Sequence, residues 1–362
     1  MSNTEEACLI AIRQKIDALD NDIQRLISER ARCAQEVRRI KADSGDVAYY
    51  RPEREAQILR NVIAHNEGPF SDEEIARLFR EIMSACLALQ HPMRIAYLGP
   101  EGTYTHAAAL KHFGHSVSTV FHGAIDEVFR DVEAGESHYG VVPVENSTEG
   151  MVSHTLDMFI QSPLKICGEV EMRIHHCLLA QEADLSSVQC VYAHQQALAQ
   201  CREWLDSELK HVPRVAVSSN AEAARTAQRK EGVAAIASSA SAGIYNLKTL
   251  ATNIEDEPDN TTRFLVVGKR ASHASGHDKT SLLLSTVNKP GALSKLLLPL
   301  ANAGISMTRI ESRPSRRGMW DYVFFIDIEG HMDDPKVAAA LKALGEEAAM
   351  IKVLGSYPVA VL

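Results

Sequence analysis

Leu9, Ile12, Ile16, Leu19, Ile23 and Leu26 recur at alternating steps of three and four, and the same spacing runs on through Arg30, Cys33, Val37 and Ile40. A strand cannot line such a series on one face; a long helix with a coiled-coil seam can. The periodicity continues to about Ala42, where Ser44-Gly45 interrupts it. Such a helix is about 57 Å long at about 1.5 Å per residue. Two short partner helices cannot cover so long a stripe, so pairing with a second subunit is expected. A guanidinium at seam position 30 costs several kcal/mol unless an anion meets it. Lys41 lies three helical turns further on and points the same way. The groove is therefore a candidate site for a small anion. The competing reading is that Arg30 only snorkels at the groove edge.

Residues 1–92 read as helices throughout. Ser2-Asn3-Thr4-Glu5 and Ser71-Asp72-Glu73-Glu74 carry the capping-box pattern, and Pro52 suits the first turn of a second helix that ends before Gly68-Pro69. His91-Pro92 stops the third. The chain has 362 residues, 45% hydrophobic and 23% charged, which fits a soluble globular protein of two or three domains. Its start has no basic and apolar export signal, and no apolar run approaches the roughly 18 residues of a membrane span. A cytoplasmic protein is expected, with no membrane partner. Cys8, Cys33, Cys86, Cys167, Cys177, Cys190 and Cys201 are scattered without a CxxC pair, as befits reduced thiols. A net charge of −9 argues against nucleic acid as a partner.

From Arg94 the pattern changes to short apolar runs alternating with amphipathic stretches: RIAYLG, VSTVFH, YGVVPVE, VQCVYAH, RVAVS and VAAIAS. This predicts an α/β unit over 93–270 with a largely parallel sheet, long enough for two lobes. Polar residues gather where strands should end: Thr103 to Thr105, Glu145-Asn146-Ser147, Gln195, Ser239 and Asn260-Thr261-Thr262-Arg263. Ligands bind at the carboxyl ends of strands in such sheets, although helix caps use the same residue types. Ala271 to Asp278 reads as a flexible linker. His273 and His277 within it are spaced as a metal pair, but their Ser and Gly neighbours argue against one, and no metal is expected. Residues 279–357 then follow a βαββαβ order, the ferredoxin-like plan.

Taken together, these residues resemble the bifunctional chorismate mutase–prephenate dehydratase family over nearly the whole chain. Ile12 to Asp20, Glu29-Arg30, Lys41, Pro52-Glu53-Arg54-Glu55 and Gln90 are similar to the all-helical, AroQ-type mutase. YLGPEGTYTHAAA, VPVENSTEGMV and Asn260-Thr261-Thr262-Arg263-Phe264 resemble the dehydratase, which is two-lobed like type 2 periplasmic binding proteins. Gly291-Ala292-Leu293 and Glu311-Ser312-Arg313-Pro314 resemble the ACT regulatory domain of the phenylalanine-binding kind.

The resemblance implies two reactions without a cofactor. In the first, chorismate rearranges to prephenate. Arg13 (from the partner subunit) and Arg30 would bind its carboxylates, Lys41 and Gln90 the ether oxygen, Glu55 the hydroxyl, and Arg54 would add positive charge. Two positions depart from the best-known bacterial pattern: Arg51 stands for an aspartate and Cys86 for a serine. In the second reaction prephenate loses carbon dioxide and its ring hydroxyl. Thr262 would be the essential hydroxyl, Arg263 would orient or bind the anion, and Phe264 would anchor the ring. Glu145, Asn146, Ser147, Thr103, Thr105, Gln195 and Ser239 are further contacts. L-phenylalanine would bind between two ACT domains through Gly291, Ala292, Leu293 and the Glu311–Pro314 strand, with Glu311 pairing with the amino group. A homodimer or higher homo-oligomer is implied. Two other readings remain open here: a monofunctional dehydratase with a helical segment that only dimerises, and a two-lobed sensor without turnover.

Overall fold

The heptad spacing produces α1 (Asn3–Ser44), and its second half packs along α3 (Asp72–Gln90), where Arg38 donates to the Leu89 carbonyl at 3.2 Å. The first half projects alone. The computed structural model describes residues 3–44, 50–286, 289–314 and 322–361. α2 (Pro52–Ala64) opens with its proline in the first turn, where no N–H is needed. Ser71 caps α3 by accepting from the Glu74 amide at 3.2 Å, as its pattern predicts. The side chains that would test the cap at Ser2–Glu5 lie largely outside the described residues.

Lobe one contains β1 (Arg94–Leu98), α4 (Tyr104–Phe113), β2 (Ser118–His122), α5 (Ile125–Ala134), β3 (Tyr139–Asn146), β4 (Gly150–Met151), α6 (Ser153–Gln161) and β5 (Lys165–Arg173). The chain then crosses at residues 174–176 into lobe two. That lobe contains β6 (Cys177–Ala180), β7 (Cys190–His194), α7 (Gln195–Gln200), α8 (Arg202–Glu208), β8 (Arg214–Val217), α9 (Asn220–Ala227), β9 (Val233–Ala237), α10 (Ser239–Ile244) and β10 (Lys248–Ala251). Residues 252–260 bring the chain back to β11 (Thr261–Gly268), which inserts between β3 and β5. The sheets run β2-β1-β3-β11-β5 and β10-β6-β9-β7-β8. The expectation of largely parallel sheets needs correction. Only β2-β1-β3 and β9-β7-β8 are parallel, and the strands beside the two crossings pair antiparallel.

The last unit comprises β12 (Asp278–Ser285), α11 (Ala292–Asn302), β13 (Met307–Pro314), β14 (Tyr322–Glu329), α12 (Pro335–Glu347) and β15 (Met350–Pro358) in the order β13-β14-β12-β15. This is the ferredoxin-like arrangement the βαββαβ spacing predicts. One face of its sheet shares a core with lobe one: Leu283, Phe325, Leu354 and Tyr357 pack with Phe159, Ile166, Leu265 and Val267. A Cβ on Gly355 would overlap the Ile166 carbonyl, so glycine there lets β15 close on β5. The linker before this unit is not a loose tether either. Ser272, Ser275 and Asp278 are buried, and Arg60 of α2 donates to the Ser275 and His277 carbonyls at 3.2 and 2.9 Å. No described helix is long and apolar enough to cross a membrane.

Candidate active sites

The two lobes enclose a cavity of about 620 Å³. Of the predicted residues, Thr103, Thr105, Asn146, Thr262 and Phe264 line it. Thr103 caps α4, accepting from the His106 amide at 3.3 Å, and so sets the start of that helix at the cavity wall. Ser219 caps α9 on the opposite lobe in the same way. Helix N-termini present unpaired N–H groups and partial positive charge to an anion.

The side-chain amide of Asn146 has a fixed orientation. Its Oδ1 accepts from the Thr148 and Glu149 amides, both at 3.1 Å, and from the Thr148 hydroxyl at 2.6 Å. Backbone N–H groups only donate, so the amide cannot be turned over. Its Nδ2 must then donate, and it does so to Asn260 Oδ1 and to Thr262 Oγ1, each at 2.8 Å. Thr262 therefore accepts from Asn146, and its single proton is left to donate elsewhere. At the cavity wall that direction is toward a ligand.

Arg263 does not join this group. Successive residues of a strand face opposite ways, and its guanidinium is buried on the other side of β11. There it meets Glu169 at 2.9 Å, Asp327 at 2.7 Å and the Tyr357 hydroxyl at 2.8 Å. Burial alone would lower its pKa; the Tyr357, Asp327 and Glu169 oxygens outweigh that and hold it above the usual arginine range. The expected anion contact is thus replaced by an anchor to β14 and β15. Glu145, one residue from Asn146, likewise turns away and pairs with Arg309 of β13. Ser147 is exposed, its Oγ accepting from the Thr261 amide at 2.9 Å. Gln195 and Ser239 are exposed helix-start residues, and their neighbours Gln196 and Ser238 line the cavity instead. None of the described lining residues is Lys or Arg. Tyr104, which the run Thr103 to Thr105 contains, also lines the cavity, whereas His176 and Gln200 were missed, since neither stands in a motif that the sequence singles out.

In the helical unit, Arg30 and Lys41 of α1 and Gln90 of α3 are half-buried along the packed halves of the two helices, and Cys86 is buried there. Arg13 and Arg54 are exposed, and Arg51 precedes α2 at 3.8 Å from Glu53. Glu55 is turned elsewhere. Its carboxylate lies 3.3 Å from Arg80 in a crevice shared with Tyr50, His112 and Glu169, against lobe one. Burial raises its pKa to about 7 despite Arg80. On a single chain Arg30 and Lys41 thus lie on the half of α1 that packs along α3, the helix carrying Gln90, whereas Arg13 and Arg54 are exposed and Glu55 faces lobe one.

In the last unit Gly291 stands before α11 with φ of 78°, which a side chain would strain, and no side chain caps that helix. Ala292 and Leu293 form its first turn. On β13, Glu311 is half-buried, Ser312 and Pro314 are exposed, and Arg313 pairs with Asp157 of α6 at 3.1 Å. Arg313 therefore joins the unit to lobe one. Residues 315–321, which follow this strand, lie outside the described residues.

Three family profiles match in order: chorismate mutase type II over residues 12–91, prephenate dehydratase over 95–272 and the ACT domain over 280–346. A bifunctional chorismate mutase/prephenate dehydratase of Stutzerimonas stutzeri is 56% identical, covering 98% of each chain. The chain belongs to this family. It is a two-activity enzyme, an isomerase joined to a carbon–oxygen lyase. Among solved structures, the prephenate dehydratase of Arthrobacter aurescens in complex with L-Phe is 34% identical, with a TM-score of 0.67 over 73% of this chain and 89% of that one. GqqA, described as a quorum-quenching acylase, is 30% identical, with a TM-score of 0.68 over 74% of this chain and 98% of that one.

Proposed function

We propose that the interlobe cavity dehydrates prephenate, with Thr262 as the donor to the departing hydroxyl. The bond to the ring carboxylate breaks, carbon dioxide leaves, and the electron pair passes through the ring to expel the hydroxyl as it becomes aromatic. The leaving oxygen then takes up a proton. A threonine hydroxyl is a weak acid, so its role is a hydrogen bond that strengthens as negative charge grows. The fixed amide of Asn146, which obliges Thr262 to donate into the cavity, carries this reading. With Arg263 occupied by Glu169 and Asp327, the substrate carboxylates are assigned to N–H groups at the starts of α4 and α9.

The α1 groove is the mutase site, where Arg30, Lys41 and Gln90 hold chorismate compactly and stabilise charge on its ether oxygen. Arg13 would come from a second subunit, in keeping with its distance along the projecting half of α1. The exposed apolar seam of that half supports a dimer as the working species. A cytoplasmic setting and domain limits of 1–92, 93–270 and 279–357 fit this reading. L-phenylalanine, bound in the Arthrobacter dehydratase, is the regulator we assign to Gly291 and the β13 strand.

A time course with chorismate alone tests the whole scheme. Prephenate should appear transiently and phenylpyruvate accumulate. In Thr262→Ala, prephenate should accumulate instead, with phenylpyruvate formation slowed by about a hundredfold or more. Phenylpyruvate at the parent rate would remove Thr262 from the reaction.

A further inference from the structure

His176 sits in the first crossing between the lobes, is buried and lines the cavity. Its surroundings continue the hydrogen-bond series that begins at Thr262. The Thr148 hydroxyl spends its proton on Asn146 Oδ1, so its oxygen can only accept, and Gln200 Nε2 lies 3.3 Å from it. Gln200 belongs to lobe two and Thr148 to lobe one, so this contact spans the cleft. With Nε2 facing Thr148, Gln200 Oε1 faces His176 Nε2 at 2.9 Å. An amide oxygen only accepts, so His176 must carry its proton on Nε2. On the other side of the ring, Nδ1 lies 2.9 Å from the Tyr104 hydroxyl of lobe one. The His176 backbone is held as well: its amide donates to Glu255 Oε2 at 2.8 Å, and Glu255 sits on the second crossing. The ring is thus fixed between the lobes, with its donor aimed at Gln200.

We propose that His176 is a positioning residue of the dehydratase. Through Gln200 and Thr148 it holds the bond across the cleft that supports Asn146, and so aims the Thr262 hydroxyl at the leaving oxygen. Desolvation lowers the His176 pKa, which agrees with a neutral ring in the Nε2–H form. This inference rests on the reading of Thr262 given above.

A residue that acts only by aiming a transition-state donor should change kcat and leave KM alone. His176→Phe keeps a ring of similar shape without either nitrogen. It should lower kcat for prephenate by about tenfold or more, hold KM within about twofold, and leave mutase turnover unchanged. His176→Gln, which restores an N–H toward Gln200, should recover a large part of the loss. Thr148→Val breaks the same series at an exposed position where folding is not at stake, and should show the same fall in kcat. Unaltered kcat in His176→Phe and Thr148→Val would overturn the proposal. So would a loss confined to KM, or a fall in mutase and dehydratase turnover together without rescue by glutamine. Thr262→Ala keeps the two ideas apart. If it turns prephenate over at the parent rate, the reading of Thr262 fails and this one with it. If it is slow while the other variants are normal, only His176 is misassigned.

Discussion

Glu55 shows how far a side chain's surroundings can outweigh its place in a motif. The Pro52-Glu53-Arg54-Glu55 run marks it as a mutase residue, yet it is packed against Arg80 at the junction with lobe one. Burial raises its pKa from 4.5 to about 7, so the folded state binds a proton that the unfolded chain releases at lower pH. The stability this contributes is complete below about pH 4.5 and is lost as pH rises through about 7. The shift corresponds to roughly 3 kcal/mol. Glu55→Gln abolishes the titration, so its thermal midpoint relative to the parent should climb between pH 5 and pH 8. Parallel curves for the two proteins across that range would show that Glu55 does not titrate as its burial dictates. Thr262 and Arg263 teach a complementary lesson. The sequence names both as site residues, but the period of two along a strand already puts neighbours on opposite faces. What the sequence lacks is the partner of Arg263, because Glu169, Asp327 and Tyr357 are distant in the chain.

At the level of elements, β11 is the strand on which the two functions of the α/β unit meet. Thr262 faces the cavity, and Arg263 faces the ACT sheet through Asp327 of β14 and Tyr357 of β15. Arg309 of β13 reaches Glu145 on β3, the neighbour of Asn146. Movement of β13 or β14 on effector binding would thus be felt on the two strands that carry Thr262 and Asn146. Asp327→Asn weakens that link while Glu169 still neutralises Arg263. Inhibition by L-phenylalanine should then fall by about fivefold or more, measured as the concentration for half inhibition, with uninhibited turnover little changed. Unaltered inhibition would place the coupling elsewhere. The helices α2 and α3, the ferredoxin-like plan and most parallel strands were legible from spacing and caps. β5, β6 and β10 were not, since they pair antiparallel with strands distant in the chain: β5 with β11, β6 with β9 and β10 with β6. The segment 271–278 reads as a flexible linker for a related reason: Ser and Gly look mobile, yet Arg60 holds Ser275 and His277 from 215 and 217 residues away in the chain.

For the whole molecule, the unfinished part is the projecting half of α1. Leu9, Ile12, Ile16, Leu19, Ile23 and Leu26 are each between 43% and 56% exposed, a continuous apolar stripe on one chain. Its regular heptad spacing extends beyond anything α2 and α3 cover, and a second copy of the same helix is the occupant that the periodicity fits. Arg13 lies within the exposed stretch and Arg30 within the packed one. If each mutase site takes Arg13 from one subunit and Arg30 from the other, Arg13→Ala and Arg30→Ala proteins should each be inactive as mutases and active as dehydratases. Mixed, unfolded and refolded together, half of the dimers pair one of each kind. In those dimers one site receives both substitutions and the other receives neither. About a quarter of the parent mutase activity should therefore return. Recovery of none would mean that Arg13 and Arg30 serve the same site from a single chain, and that the apolar stripe joins subunits without sharing their chemistry.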